Sequence, residues 1–423
     1  MTEPNWLSEG LDHIWLPYAQ MKTAPRPAAA VGTSGVHIKM GDGRQLIDGV
    51  ASWWTAAHGY NHPHILNAVR DQLSKMPHVM LGGLAHEQPY RLAKRLAAMT
   101  PGDLSRVFFT ESGSVAVEVA MKIAMQYWRN KTGEKRNKFV SFKGGYHGDT
   151  FATMSVCDPE EGMHSLFAGA VSAQHVVDLP IDEDAASALD QLLSTHKDMA
   201  AVLVEPLLQG AGGMRVHDGA TLKRLRALCD AHGVLLVFDE IFTGFGRTGA
   251  MFASEKAGVV PDIMTLGKAL TGGVAPLAAT IASEKVYAEF HDDDAAKALM
   301  HGPTFCGHAL GCAAANASLD LFETEPRLEQ AQAIETALRK GLSGLKNAPS
   351  VADVRILGAM GAVELAQDFS VDQARADFIE MGLFVRPLGR VIYLTPSLTV
   401  EMSDLNKLIE GVNEMTRRLG APS

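Results

Sequence analysis

Five apolar runs along the chain are each followed closely by residues that can do chemistry. The runs are residues 107–109, 139–142, 201–204, 234–238 and 263–266. The residues that follow them are Ser112-Gly113-Ser114, Tyr146-His147, Glu205, Asp239 and Lys268. Short apolar runs of this kind are typical of buried strands in a parallel sheet, and an open parallel sheet binds its ligand outside the carboxyl ends of the strands. We therefore expect these residues to converge on one cleft.

Two of these groups suit an anion and a nucleophile. Ser112-Gly113-Ser114 stand between a predicted strand and a predicted helix, where hydroxyls and free N–H groups at a positive helix end bind phosphate. Ser112 could equally be an ordinary helix cap. Lys268 directly follows an apolar strand, where desolvation lowers the pKa of an amine and makes its neutral, nucleophilic form accessible. The alternative is a lysine whose charged end simply reaches water.

Asp239 ends a buried strand, where an unpaired carboxylate is costly, so it should have a cationic partner. A protonated pyridine nitrogen would serve, and an ion pair with Arg247 is the alternative. A phosphate anchor, an aromatic face, a carboxylate and a lysine amine are together what pyridoxal 5'-phosphate (PLP) requires. The strand-end residues therefore predict a PLP site.

Two glycine or lysine patterns suggest nucleotides only superficially. The spacing of Gly244, Gly246 and Gly249 matches a dinucleotide fingerprint, but five residues separate its first glycine from the preceding apolar run. The fingerprint needs that glycine immediately after the strand. Around Lys268, Asp262 and Ala269 replace the first glycine and the metal-binding hydroxyl of a phosphate-binding lysine loop. Both nucleotide hypotheses are therefore disfavoured.

The composition is that of an ordinary globular protein rather than a nucleic-acid or membrane protein. The chain has 423 residues, 47% of them hydrophobic and 20% charged, with a formal net charge of −10. This length predicts about two or three domains, and the negative charge offers no footprint for nucleic acid or anionic lipid. The N-terminus lacks the basic flank and apolar core of a targeting signal, so we expect a cytoplasmic protein.

Metal and disulfide chemistry are not indicated. The four cysteines lack zinc spacing and are expected to be reduced packing residues; they are Cys157, Cys229, Cys306 and Cys312. The histidines at 58, 62 and 64 are interrupted by Pro63 and have no carboxylate cluster nearby, which predicts turn residues rather than metal ligands.

The elements that must position these residues predict an α/β fold with a mostly parallel central sheet and helices on both faces. Residues 61–320 alternate strand-like and helical patterns and form the predicted large PLP-binding domain. One helix spans residues 114–129 and is closed by Gly133. Residues 321–423 read as a smaller α+β domain, with a helix over 329–345, strands near Val354, Ala362 and Val385, and a last helix from about Ser403. Residues 1–60 are expected to contribute to the small domain and to the active site.

Six stretches together resemble the class III, fold type I aminotransferases over nearly the whole chain. They are residues 109–118 (FTESGSVAVE), 145–150 (GYHGDT), 205–213 (EPLLQGAGG), 239–249 (DEIFTGFGRTG), 266–270 (LGKAL) and 301–305 (HGPTF). The resemblance implies that Lys268 carries PLP covalently and shuttles a proton, and that Asp239 holds the pyridine nitrogen. It also implies a homodimer with shared active sites. The further cofactor contacts that it implies are Ser112, Gly113, Ser114, Tyr146, His147, Glu205, Ile241 and the partner subunit's Thr304.

Further stretches are similar to one branch of that family, in which the amino acceptor is 8-amino-7-oxononanoate and the donor is S-adenosylmethionine. They are residues 14–18 (IWLPY), 52–54 (SWW), 59–63 (GYNHP), 78–80 (HVM), 155–159 (SVCDP), 163–166 (MHSL), 386–387 (RP) and Tyr393. This likeness implies that Arg386 pairs with the acceptor's carboxylate and that Tyr18 also takes part in catalysis. The implied substrate pocket is Tyr18, Trp53, Trp54, Tyr146, Gly302, Arg386 and Tyr393.

One departure from that branch bears on substrate choice, because Phe242 stands where a small residue is usual. Two alternatives therefore stay open. The first is an ω-amino acid:pyruvate or diamine aminotransferase of the same family, against which the Trp53-Trp54 pair argues. The second is a PLP-binding regulator without catalysis, which Lys268 and the lack of a basic patch disfavour.

Overall fold

The computed structural model describes residues 4–159, 165–167 and 169–420, so that Met163 and His164 of the stretches quoted above lie outside it. Its strands are β1 Ala30–Ser34, β2 His37–Met40, β3 Gln45–Asp48, β4 Leu104–Thr110, β5 Lys138–Phe142, β6 His175–Val177, β7 Met199–Val204, β8 Leu208–Gln209, β9 Arg215–Val216, β10 Leu235–Asp239, β11 Ile263–Leu266, β12 Ala278–Ser283, β13 Val351–Leu357, β14 Met360–Leu365, β15 Leu383–Phe384 and β16 Val391–Leu394. Its helices are α1 Asn5–Gly10, α2 Ala51–Trp54, α3 Pro63–Lys75, α4 Glu87–Met99, α5 Gly113–Thr132, α6 Phe151–Met154, α7 Glu183–Thr195, α8 Gly219–His232, α9 Ala253–Ala257, α10 Glu284–Ala288, α11 Ala309–Thr324, α12 Arg327–Leu342, α13 Val371–Glu380 and α14 Met402–Gly420.

A seven-stranded sheet in the order β4-β12-β11-β10-β7-β5-β6 forms the centre of the molecule. The pairs from β11 to β6 are parallel, whereas β12 runs antiparallel to both of its neighbours. Apolar side chains of α5 pack with residues of β5, β7, β10 and β11 in one buried cluster. The predicted α/β class with a mostly parallel sheet is confirmed, and β12 is a strand that the sequence patterns did not predict.

The carboxyl ends of the parallel strands bring the predicted residues to one edge of the sheet. Strand β10 is buried along its whole length and ends at Asp239. Its neighbours β7 and β11 end one or two residues before Glu205 and Lys268. Helix α5 begins at the predicted place because the Ser112 side chain caps it, and it ends at Gly133, whose φ of 78° is left-handed.

The N-terminal segment and the C-terminal part of the chain share a second sheet. Strands β1, β2 and β3 form an antiparallel meander, and β15 adds in parallel to β3. Val36 and Ile47 are buried in the same hydrophobic cluster as Leu338, Phe378 and other residues beyond 320. A third sheet is formed by β13, β14 and β16. The strand expected at Val385 ends one residue earlier, at Phe384, and the domain boundaries at 60 and 320 stay predictions.

Helix α2 is a left-handed turn. Ala51, Ser52, Trp53 and Trp54 have φ values of 45°, 49°, 58° and 73°, and none of them is glycine. Backbone bonds of 2.9 Å close the turn, from Trp54 N–H to Val50 O and from Thr55 N–H to Ala51 O. A left-handed helical residue other than glycine costs about 1–2 kcal/mol, so the surrounding structure must hold this turn.

Two expectations concern the cysteines and membrane-spanning helices. All four cysteines are free thiols and three of them are buried, as predicted. Among the described residues, none of the helices has the length and hydrophobicity needed to cross a membrane.

Candidate active site

Asp239 is buried, and both of its carboxylate oxygens have partners. Its Oδ2 lies 2.8 Å from His147 Nδ1, and its Oδ1 accepts hydrogen bonds from Thr265 Oγ1 at 3.1 Å and from the Ile241 N–H at 3.2 Å. The parallel register of β10 and β11 pairs Asp239 with Thr265. Arg247, the alternative partner, is buried elsewhere and donates to the carbonyls of Ala359 and Pro396. The Arg247 hypothesis is therefore wrong.

His147 and Glu205 extend this buried polar cluster. Burial would lower the pKa of His147, but its hydrogen bond to Asp239 and the charge of Asp239 outweigh burial and raise that pKa. Burial raises the pKa of Glu205 to about 7. The Glu205 carboxylate accepts backbone N–H bonds of 3.0 Å from both Tyr146 and Gly210. Glu205 thus fixes the loop that carries Tyr146 and His147.

Lys268 follows β11 on a strained backbone, with a φ of 43°. Its Nζ lies 4.9 Å from the centroid of the Trp54 ring, within the range of a cation–π contact. Burial lowers the pKa of Lys268, against the opposing charges of Asp239, Glu205 and Asp149. Among the described residues, no carboxylate forms an ion pair with this amine. These conditions favour the neutral amine that the sequence predicted.

The N-terminus of α5 fits a phosphate. Ser112 Oγ accepts the Val115 N–H at 3.4 Å, so the cap is real, and its hydroxyl can still donate a hydrogen bond to an anion. At Gly113 a Cβ atom would lie 2.9 Å from Ile241 Cδ1, so a larger residue there would displace that side chain. Ser114 Oγ accepts the Asp149 N–H at 3.2 Å. With Asp239 and Lys268, this cradle supplies the groups that PLP needs.

A cluster of two tyrosines and an aspartate lies beside the cofactor residues. Tyr18 donates to Asp149 Oδ2 at 2.5 Å, and its hydroxyl is 3.4 Å from that of Tyr146. Burial raises the pKa of Tyr18 to about 12 and also raises that of Tyr146, so both phenols keep their protons at neutral pH. Asp149 was missed as a site residue. Its place three residues after Tyr146, in the same loop after β5, was the available signal.

Arg386 lies against the ring of Trp53. Its Cζ is 4.9 Å from the centroid of the Trp53 ring, and the Tyr18 ring meets Trp53 edge-on at 6.4 Å. Burial and the neighbouring Arg375 lower the pKa of Arg386. Within the described ranges, no aspartate or glutamate forms a salt bridge with Arg386. A half-buried cation with no acidic side chain in salt-bridge contact among the described residues can pair with an anionic ligand.

Trp54 is buried between the lysine and an apolar cluster. Its ring centroid lies 4.0 Å from that of Phe242 and 6.3 Å from that of Tyr393. Burial raises the pKa of Tyr393 to about 12. A Cβ at Gly210 would lie 2.6 Å from Phe242 Cδ1, so Phe242 takes the space that a larger residue at 210 would need. Phe242 therefore packs on Trp54, which the sequence predicts to line the substrate pocket.

Gly302 and Thr304 are both exposed in this chain, on a loop before α11. In the part of the chain that the structure describes, no side-chain hydrogen bond, ion pair or ring contact joins them to the residues above, and Thr304 was expected to act on the partner subunit.

The remaining sequence candidates have structural partners. His58 accepts from Arg327 Nε at 2.9 Å and lies 2.9 Å from Ser318 Oγ, and burial lowers its pKa to about 3. Pro63 begins α3, so His64 is a helical residue, and the prediction of a turn there is wrong. Gly246 and Gly249 have left-handed φ values in a turn that only the short α9 follows. That turn lacks the long helix of a dinucleotide site.

Comparison with known proteins places this arrangement in a family. The model of the class III aminotransferase family matches residues 18–415. An adenosylmethionine-8-amino-7-oxononanoate aminotransferase from Corynebacterium glutamicum is 43% identical over 396 residues, which cover 91% of this chain and 93% of that protein.

Solved structures agree with this match. The crystal structure of adenosylmethionine-8-amino-7-oxononanoate aminotransferase from Methanocaldococcus jannaschii has a TM-score of 0.91 at 32% identity, covering 97% of this chain and 99% of that one. An amine transaminase from an uncultivated Pseudomonas species, in its PLP-bound form, has a TM-score of 0.88 at 30% identity, covering 96% and 98%.

Proposed function

The chain belongs to the class III aminotransferases, and on that premise we propose that it aminates 8-amino-7-oxononanoate to 7,8-diaminononanoate with S-adenosylmethionine as donor, a step of biotin synthesis. The chain is a PLP-dependent aminotransferase with the fold type I architecture. Curated relatives about 40% identical over most of the chain carry the name of that more specific enzyme.

The observation that carries the proposal is the free guanidinium of Arg386 on Trp53. The proposed acceptor is an aliphatic chain with a carboxylate at the end remote from its reacting ketone. An aromatic slot closed by one unpaired cation is complementary to such a molecule. Trp53 and Tyr18 supply the slot, and Arg386 supplies the cation at 4.9 Å from the Trp53 ring.

The residues at the sheet edge would then divide the chemistry among them. When bound, PLP supplies an electrophilic carbonyl and an electron sink for amino transfer. Asp239, held by His147 and Thr265, would keep a proton on the pyridine nitrogen. The lowered pKa of Lys268 allows its Nζ to accept and return a proton near the reacting carbon. Ser112, Gly113 and Ser114 would hold the phosphate and so fix the ring.

The assembly is part of the proposal. We infer a homodimer in which the partner subunit's Thr304 completes the phosphate site. Large apolar side chains are exposed in the N-terminal segment and near Thr304, among them Trp15 at 87% and Met300 at 74%. Light scattering should give the mass of a dimer. Mixing Lys268→Ala with Thr304→Ala protein should restore activity, because a hybrid dimer holds one intact site; no restoration would contradict the shared site.

The test of substrate identity is an acceptor and donor screen with purified, PLP-loaded protein. Formation of 7,8-diaminononanoate from 8-amino-7-oxononanoate and S-adenosylmethionine, followed by mass spectrometry, is the expected result. Protein that ignores this pair yet transfers an amino group from a simple ω-amine to pyruvate would overturn the proposal in favour of an ω-amino acid:pyruvate or diamine aminotransferase.

A further inference from the structure

The left-handed turn Ala51–Trp54 carries both tryptophans of the site. Trp53 lies against Arg386, with 4.9 Å from Cζ to the ring centroid, and Trp54 lies the same 4.9 Å from Lys268 Nζ. The two residues are adjacent in sequence, but Trp53 faces the Arg386 guanidinium and Trp54 faces the Lys268 amine at different ends of the site. One turn of backbone therefore sets the aromatic contacts of both ends.

Asp48 makes the side-chain hydrogen bonds that hold the start of this turn. Its Oδ1 accepts the Val50 N–H at 2.8 Å, and its Oδ2 accepts the Ser52 N–H at 2.8 Å and the Tyr60 hydroxyl at 2.5 Å. Asp48 is 1% exposed and ends β3, where it pairs in register with Phe384 of β15. A carboxylate anchored in a sheet thus binds the backbone where the chain enters the left-handed turn.

The turn needs such an anchor because its sequence does not favour it. Alanine, serine and tryptophan rarely adopt a left-handed conformation, and the backbone hydrogen bonds from Trp54 and Thr55 offset only part of the cost of four such residues. Hydrogen bonds to an ionised acceptor are shorter and stronger than neutral ones. The donors to Asp48 include the backbone N–H groups of residues 50 and 52, so loss of the carboxylate would release the backbone itself.

We propose that Asp48 is a positioning residue that holds the turn left-handed and thereby places Trp53 against Arg386 and Trp54 against Lys268. The proposal rests in part on the proposed role of Trp53 and Arg386 in binding the acceptor's carboxylate. Asp48 touches neither substrate nor cofactor residues directly, and it acts through the two tryptophans.

The first experiment compares Asp48→Asn with wild type. The amide nitrogen of asparagine cannot accept a hydrogen bond, so at least one backbone contact at 50 or 52 is lost at nearly constant volume. Amide hydrogen exchange over residues 50–55 should accelerate in the PLP-loaded resting protein, without substrate. KM for the acceptor should rise about tenfold to a hundredfold, the range for losing one hydrogen bond to a charged group, with a smaller change in kcat.

Two further variants separate positioning from general stability. Asp404→Asn removes another buried carboxylate, which pairs with His37 at 3.2 Å and Lys407 at 3.1 Å and makes no hydrogen bond to residues 50–55, so it should leave exchange at 50–55 and KM unchanged. Adding Ser52→Gly to Asp48→Asn should lower the raised KM part of the way back to the wild-type value, because glycine adopts a φ of 49° without strain. If Asp48→Asn does not fold, Tyr60→Phe removes one donor and should give a smaller change of the same kind.

Unchanged exchange at residues 50–55 in Asp48→Asn would overturn the proposal, whatever the substrate proves to be. So would equal KM effects in Asp48→Asn and Asp404→Asn. Faster exchange with an unchanged KM for 8-amino-7-oxononanoate, in protein that uses that acceptor, would show that the turn does not position the substrate groups. If wild type uses another acceptor, amide hydrogen exchange at residues 50–55 still tests whether Asp48 stabilises the turn.

Discussion

The cofactor end and the substrate end of the active site differ in how deeply their charged residues are buried and how completely they are paired. At the cofactor end, Asp239 ends a fully buried strand and both of its oxygens have partners within 3.2 Å. At the substrate end, Arg386 is half-buried without an acidic partner among the described residues, and Trp53 is 41% exposed on a strained turn. At the cofactor end both carboxylate oxygens of Asp239 are hydrogen-bonded within the protein, whereas at the substrate end the guanidinium of Arg386 can still pair with an anion.

This difference suggests that the reaction and its specificity are separable. Residues that serve any PLP-dependent amino transfer are fixed by the central sheet. Residues proposed to select the acceptor come from the N-terminal segment and from the chain after β15, which share a different sheet. Substitutions at the two ends should therefore fail in different ways.

The largest effect is expected for Lys268→Ala at the cofactor end. The variant loses the amine beside Trp54 that is proposed to bind PLP covalently and move a proton, so turnover should be abolished while the phosphate cradle still binds PLP. The measurement is activity together with the visible spectrum: wild type should be yellow from lysine-bound cofactor, and the variant should lack that band. Residual turnover close to wild type would mean that another group does this work.

The next effect is expected for Arg386→Ala at the substrate end. Removing a desolvated cation that pairs with a carboxylate costs about 2–5 kcal/mol, and each 1.4 kcal/mol is about tenfold in kcat/KM. The loss should appear with 8-amino-7-oxononanoate, and the cofactor spectrum should stay unchanged. An unchanged kcat/KM would show that Arg386 is a structural residue stacked on Trp53.

A smaller effect with a pH signature is expected for Glu205. Its pKa is raised from 4.5 to about 7, so the folded PLP-free protein holds this proton more tightly than the unfolded chain does. Its contribution to stability is therefore complete below about pH 4.5 and is lost as pH rises to about 7, by at most about 1.4 kcal/mol per pH unit. Urea unfolding of the PLP-free protein should show wild type losing stability relative to Glu205→Gln across this window. Parallel curves would indicate a carboxyl with an ordinary pKa.

The cofactor end was largely predictable from sequence because its signals are local. A buried strand that ends in a charge, and Ser112 before a helical pattern closed by Gly133, depend on neighbouring residues in the chain. Thr265 was not predictable, since its contact with Asp239 depends on the register between two strands. Strand β12 gave no signal of its direction, because an apolar run looks the same in parallel and antiparallel pairs.

The substrate end was predictable only through family resemblance. Residues 51–54 include no glycine, so the sequence does not indicate their positive φ values. The left-handed conformation is proposed to depend on Asp48, which is a tertiary contact. Nor could the sequence distinguish Arg386, which has no salt bridge among the described residues, from Arg247, which is buried and donates hydrogen bonds to two backbone carbonyls. Tertiary contacts decide which arginine is available to a ligand.

The most direct test of the separation is one ratio, measured in wild type, Asp239→Asn and Arg386→Ala. The ratio is kcat/KM for 8-amino-7-oxononanoate divided by kcat/KM for a short aldehyde acceptor without a carboxylate. Asp239→Asn should lower both rates together, by about tenfold or more, and leave the ratio near that of wild type, because it weakens the cofactor for every acceptor. Arg386→Ala should lower the ratio by about tenfold or more while the aldehyde rate is kept. Equal losses for both acceptors in Arg386→Ala, or a changed ratio in Asp239→Asn, would contradict the division of the site into two separately built ends.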